Sequence, residues 1–279
     1  MVFVFYGYSF YMDMKESRPI GIFDSGVGGL TVWKEIINIL PNESIIYCAD
    51  SKNCPYGPKS EEEIINLSIK NVEFLLSKNC KIIVVACNTA TAAAIDILRE
   101  KYKTPFIGME PAVKPAALKT KTGHIGILAT QGTFNGRLFK ETSRKYAENI
   151  EMNIQIGAGL VELVENLKSD SIEAENLLKK YINPMIKDNV DQIVLGCTHY
   201  PFFYNKIKKM VGEKVSVINP SIAVAKHTKN QIVSNKLRAD KKNVYYEFYT
   251  TGDIETVKKI VKKISNKKAI SYYSSTCEK

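Results

Sequence analysis

The sequence predicts an α/β protein of two pseudo-symmetric lobes, each a mostly parallel sheet flanked by helices, with the active site in the cleft between them. Three observations carry this. Short apolar, β-rich runs alternate with segments of helical periodicity along most of the chain. Several of those runs are continuously apolar, as strands covered on both faces must be. The first half also echoes in the second: IGIFDSG at 20–26 resembles IGILATQGT at 125–133, and VVACNTA at 84–90 resembles IVLGCTHY at 193–200.

In chain order, the strand candidates are 19–23, 44–48, 81–86, 105–108, 123–128, 153–156, 191–195 and 214–218, with a further one at 244–249. A capping box, Ser60 with Glu63 three residues on, opens a helix carried by Ile64, Leu67, Val72 and Leu75. A basic amphipathic helix starts near Ile254. Strands and helices in this alternation build parallel sheets with right-handed crossovers. When Asp24 is aligned with Ala129, Cys87 and Cys197 follow at similar intervals, each at the C-terminal end of a strand. In open parallel sheets, ligands sit at that end.

Composition narrows the function classes. With 279 residues, 45% apolar and 24% charged, the chain can bury one large core or two ordinary ones. No apolar run approaches the roughly 18–20 residues of a membrane-spanning helix. The apolar, aromatic start lacks a basic leader and a small-residue cleavage site. Residues 1–17 therefore read as an N-terminal appendage and the protein as cytoplasmic. The net charge of +10 comes largely from lysines scattered over helix-like segments and the tail, with no nucleic-acid motif beside them. A solvated basic face is expected, with neither nucleic acid nor membrane as partner. The six cysteines, Cys48, Cys54, Cys80, Cys87, Cys197 and Cys277, show no CxxC spacing, so free thiols in a reducing compartment are expected.

Two of those thiols have a context. Cys87 and Cys197 each follow an apolar strand and precede small polar residues, where a helix N-terminus favours thiolate. A single such cysteine would more often be a small buried hydrophobe; two in matching halves of a duplication call for a paired role. Inverting a carbon that bears hydrogen needs one group to take the proton from one face while a like group delivers a proton to the other. Thiols, with an ordinary pKa near 8.5, reach both forms around neutral pH. Helpers are at hand in His199, two residues after Cys197, and in Asp24 and Glu110, in turns after strands.

Rival chemistries fit less well. The glycine-rich turn from Asp24 to Thr31 suits an anion, but Thr31 stands where a dinucleotide motif needs its third glycine, and Asp24 would face the pyrophosphate. An amino acid fits better, its ammonium on Asp24 and its carboxylate on Ser25 and nearby amides. Cys197 and His199 could hold zinc, yet no partner pair has zinc-like spacing, so no metal is expected. No lysine stands out for a pyridoxal Schiff base. A two-lobed binding protein that closes on an amino acid is the non-enzymatic alternative, but it leaves the paired cysteines unexplained.

Together these residues resemble the aspartate/glutamate racemase superfamily, and its glutamate racemases most. The matching motifs, in the family's order, are DSGVGGLTV at 24–32, PYG at 55–57, CNTAT at 87–91, MEP at 109–111, ATQGT at 129–133 and GCTHYP at 196–201. The resemblance implies cofactor-independent interconversion of L- and D-glutamate, with Cys87 acting on D-glutamate, Cys197 on L-glutamate, and Asp24, Glu110 and His199 assisting. It implies substrate contacts at Asp24, Ser25, Tyr56, Gly57, Asn88, Thr89, Thr198 and His199, a role in peptidoglycan synthesis, and a homodimer among the allowed assemblies. It places the first lobe at 18–113 and 222–279 and the second at 114–221. One departure stands out: Asn219 precedes Pro220 where the family carries an acid.

Overall fold

The structure, a computed structural model, describes residues 17–110, 112–239, 243–267 and 270–274. Nearly all of the N-terminal appendage, together with Pro111 and Cys277, lies outside the described residues. The chain runs through β1 (Ile20–Asp24), α1 (Leu30–Ile39), β2 (Ile45–Ala49), α2 (Glu61–Ser77), β3 (Ile82–Val85), α3 (Asn88–Lys101) and β4 (Phe106–Ile107). It crosses by α4 (Val113–Lys119) into β5 (His124–Ala129), α5 (Gln131–Asn135), α6 (Arg137–Tyr146), β6 (Glu151–Ile156) and α7 (Leu160–Glu165). Next come α8 (Ile172–Lys187), β7 (Gln192–Gly196), α9 (Tyr204–Val211) and β8 (Ser216–Ile218). It returns by α10 (Ser221–Ser234) to β9 (Tyr246–Thr250), α11 (Ile254–Ile264) and β10 (Ile270–Ser274).

The continuously apolar strands are buried on both faces, for the reason their sequences suggest. Along β3, Ile82 and Val84 point into one core while Ile83 and Val85 point into another. In β2, Ile45, Tyr47 and Ala49 alternate in the same way with Ile46 and Cys48. Period-two alternation with apolar residues on both sides requires a helical layer over each face. The second lobe repeats this, with Ile193 and Leu195 on one side of β7 and Val194 on the other. Half of the capping box forms: the Ser60 side chain accepts from Glu63 N at 3.2 Å and starts α2, while the Glu63 carboxylate pairs with Lys59 at 2.6 Å.

The six-stranded sheet has the order β10-β9-β2-β1-β3-β4 and the four-stranded sheet β6-β5-β7-β8, with every pair parallel. Counted from its own first strand, each lobe contains the same path, second-first-third-fourth. The echo in sequence is thus an echo in topology, and β3 and β7, which precede the two cysteines, are equivalent strands. The nine predicted strands are all present, their ends within two residues of expectation. The strand β10 was not anticipated. Its sequence, ISYYS, is half-polar and only partly buried; it is held by aromatic stacking on β9, Tyr272 on Phe248 at 5.4 Å and Tyr273 on Tyr249 at 4.7 Å. Among the described residues no helix is long and apolar enough to cross a membrane.

Candidate active site

The first half of the site grows from the end of β1. Asp24 closes the strand fully buried, and its Oδ2 accepts from Gly29 N at 2.7 Å, folding the glycine-rich turn back before α1 begins. Only glycine fits at position 29, because a Cβ there would come within 2.8 Å of both the Asp24 side chain and Tyr47 Oη. Burial lifts the Asp24 carboxyl to about 6; the positive charge of His199 and the Gly29 amide oppose that rise, while the charge of Glu165 adds to it.

Cys87 ends the run begun by β3 and caps α3, its Sγ accepting from Ala90 N at 3.4 Å and lying 3.7 Å from Ser25 Oγ. Burial pushes this thiol well above its ordinary value and the Asp24 carboxylate pushes the same way, against weaker pulls from the Ala90 amide and Ser25 hydroxyl. Cys87 is therefore held as a thiol. The Oδ1 of Asn88, the first residue of α3, is buried without a hydrogen-bond partner among the described residues. Such an orphan beside a cavity marks a place where a ligand group can bind.

Cys197 follows β7 at the equivalent place in the second lobe, but its neighbours differ. Its Sγ lies 3.8 Å from His199 Nδ1, and His199 Nε2 lies 2.7 Å from Glu165 Oε1. Burial disfavours a charged His199, yet hydrogen bonds with Cys197, Cys54 and Glu165 raise it well above the ordinary histidine value. The packing thus favours the charged form of the imidazole beside Cys197. Glu165 also joins the lobes: its Oε1 accepts from Val27 N at 2.7 Å and its Oε2 from Ser51 Oγ at 3.2 Å. Thr198 reaches across too, its hydroxyl 3.4 Å from each Asp24 oxygen.

Ser25, Tyr56, Gly57, Cys87, Asn88, Thr89, Cys197, Thr198 and His199 line one cavity between the lobes, with Asp24 behind Thr198. Tyr56 is anchored from behind, donating to Asp50 Oδ2 at 2.6 Å and accepting from Asn71 at 3.2 Å. The cavity is only about 10 Å³, the room of a single water. The cavity as it stands has no room for an amino acid, and Thr89 Oγ1 and Thr130 Oγ1 meet across its wall at 2.8 Å.

The structure does not place Glu110 with the others. It follows β4 as expected but is exposed, lining a different cavity of about 310 Å³ with Asn219, Pro220 and His227. A turn after a strand is a sound signal only when the strand is central; β4 is the edge of its sheet and delivers its turn to the periphery. Asn219 there accepts from Ser221 N at 3.0 Å and starts α10. The residue that sequence reasoning missed is Glu165. It ends the short helix α7 among other acids, and nothing in LVELVE separates a buried partner of histidine from a solvated glutamate.

A model of the Asp/Glu/Hydantoin racemase family matches residues 20–228. The glutamate racemase of Herpetosiphon aurantiacus is 43% identical over 241 residues, 86% of this chain and 94% of that one. A glutamate racemase isoform from Bacillus anthracis superposes with a TM-score of 0.85 at 35% identity, covering 95% of this chain and 100% of that one. The Francisella tularensis glutamate racemase, solved with D-glutamate, gives 0.82 at 31% identity over 94% and 98%. The chain belongs to the Asp/Glu/Hydantoin racemase family and, within it, to the glutamate racemases.

Proposed function

We propose that the protein interconverts L- and D-glutamate without a cofactor, by proton transfer between two cysteines. The observation that carries this reading is that Cys87 and Cys197, from equivalent strands of the two lobes, line the same closed cavity. Cys197, beside the His199 imidazolium, is the base that takes the α-proton of L-glutamate. Cys87, held as a thiol by burial and by Asp24, delivers a proton to the opposite face, and the roles exchange for D-glutamate. Glu165 positions His199, and Asp24 holds the turn that carries Ser25 beside Cys87. Asn88 and Thr89 at the start of α3, with Ser25, Thr198, Tyr56 and Gly57, supply the polar contacts for the substrate's ammonium and carboxylates.

Removing an α-proton from an amino acid demands stabilisation of the carbanion and exclusion of water. Closure of the lobes to so small a cavity supplies the second. We assign residues 18–113 and 222–279 to one lobe and 114–221 to the other, so that opening turns on the two strand crossings near Ala112 and Pro220. The thiols of Cys87 and Cys197 need a reducing compartment, which supports a cytoplasmic enzyme whose D-glutamate goes to peptidoglycan.

The test is chelator-treated protein with L-glutamate in heavy water and no added cofactor. Optical rotation should decay to zero, with early D-product deuterated at the α-carbon while the remaining L-substrate stays protiated. Binding of glutamate without any exchange would overturn the reading in favour of a binding module.

A further inference from the structure

A set of metal-binding donors stands beside the cysteine cavity, assembled by the fold from distant parts of the chain. Cys54 comes from the first lobe, after a 3-10 turn at Ser51–Asn53, while Glu165 and His199 come from the second. One sulfur, one carboxylate oxygen and one ring nitrogen lie within 4.8 Å of one another. The backbone leaves room for them: a Cβ on Gly26 would run into Glu165 Oε1 and Cys54 Sγ, and one on Gly28 into His199 Nδ1.

We propose that Cys54, Glu165 and His199 form an inhibitory site for a thiophilic divalent cation of the zinc class. Thiolate, imidazole and carboxylate are the three donors such an ion takes, at about 2.0–2.3 Å each, so a contraction of about 1 Å brings these atoms into a tetrahedral shell with water in the fourth place. The two negative ligands neutralise the ion's charge, which makes a partly buried position tolerable. Hard cations such as calcium and magnesium, which want six or more oxygens, find one carboxylate only. On binding, the S–H proton of Cys54 and the imidazolium proton of His199 leave to water as the S–metal and N–metal bonds form; no electron is transferred. The occupied site puts the ion in place of a ring proton of His199, the neighbour of Cys197. It also ties Cys54 of one lobe to Glu165 and His199 of the other, holding the cleft in the closed form that has no room for glutamate. Inhibition is therefore competitive with glutamate. This consequence, though not the binding itself, rests on the racemase reading.

The experiment titrates chelator-treated full-length protein with Zn²⁺ against a chromophoric chelator, and with Co²⁺ as the optical probe. One ion per chain is expected, with the intense visible bands of tetrahedral Co²⁺ and a thiolate-to-cobalt charge-transfer band. Cys54→Ala should lose the charge-transfer band and weaken zinc binding by at least about 100-fold, the upper end of what losing an outer-shell partner costs. It should still racemise glutamate, now insensitive to zinc. Cys54→Ser, closer in size to the native side chain, serves if the alanine variant does not fold. The proposal is overturned if wild type binds no stoichiometric zinc. It is equally overturned if the Cys54 variants keep affinity and charge-transfer band, which would assign the metal to Cys87 and Cys197, or if zinc bound at Cys54 leaves racemisation unchanged. Zinc bound at Cys54 in a protein that never racemises glutamate would keep the site and overturn the proposed function.

Discussion

The two cysteine neighbourhoods are built on the same scaffold and charged in opposite ways. Cys87 and Cys197 each follow the third strand of their lobe, next to its central strand. Around Cys87, burial and then the Asp24 carboxylate push the thiol up. Beside Cys197 stands His199, held by Glu165. The repeated topology supplies the matching geometry, and from these unlike neighbours the proposed reaction assigns one thiol as acid and the other as base. A two-base reaction needs both: like groups facing one carbon, in opposite protonation states.

The largest expected effect comes from removing either sulfur. Cys87→Ala and Cys197→Ala should each lower racemisation by about 10²–10⁴-fold or more, the range of general acid–base catalysis, whereas Cys48→Ala and Cys80→Ala should keep most of it. Because the enantiomers are equal in free energy, kcat/KM must fall equally in both directions. The asymmetry has to be read from a one-base reaction, elimination from a glutamate analogue with a leaving group on the β-carbon. There Cys197→Ser should lose turnover of the L-isomer and Cys87→Ser that of the D-isomer. The opposite pattern would exchange the two faces.

Next in size is Asp24. Its carboxyl, raised to about 6 by burial, binds a proton more tightly in the folded protein than in the unfolded chain. The stability this confers is full below about pH 4 and is lost as pH rises through 6, so that at pH 7 the charged carboxylate costs roughly 3 kcal/mol. Asp24→Asn should therefore impair racemisation yet raise stability at pH 7, and flatten the change between pH 4 and 6 in urea melts. An Asn variant less stable than wild type at pH 7 would show that the carboxylate holds the turn better than burial penalises it.

Glu165→Gln should have a smaller effect, about 10–100-fold on turnover, as for loss of a partner that orients another catalytic group. It removes an interaction that raises His199, so the imidazolium should be lost at lower pH and the profile of kcat/KM should move with it. A purely structural Glu165 would change thermal stability and leave the profile in place. The smallest effect belongs to Glu110→Gln, which should leave kcat and KM near wild type because that side chain faces the separate cavity. A large loss there would restore Glu110 to the catalytic set.

The sequence by itself determined nine of the ten strands among the described residues, their division between two similar lobes, and the two cysteines. Continuous apolar runs such as 82–85 can be stable only between two layers, and a repeated strand–cysteine pattern needs no coordinates to be seen. It also placed Asp24, Ser25 and the glycines of their turn, since that local geometry follows from residues adjacent in the chain. Only the tertiary structure decided which acids meet His199. Glu165 lies 34 residues before it and 138 after Val27, and hydrogen bonds at such separations leave no periodic trace in sequence. Glu110 shows the converse: a turn after a strand is local information, but whether that turn faces the cleft depends on the strand's rank in the sheet. Cys54 drew no role from its spacing, because its position against Glu165 and His199 exists only once two lobes close on each other. Side-chain type and local order are written in the chain; the charge state of a buried group is set by neighbours that long-range packing brings to it.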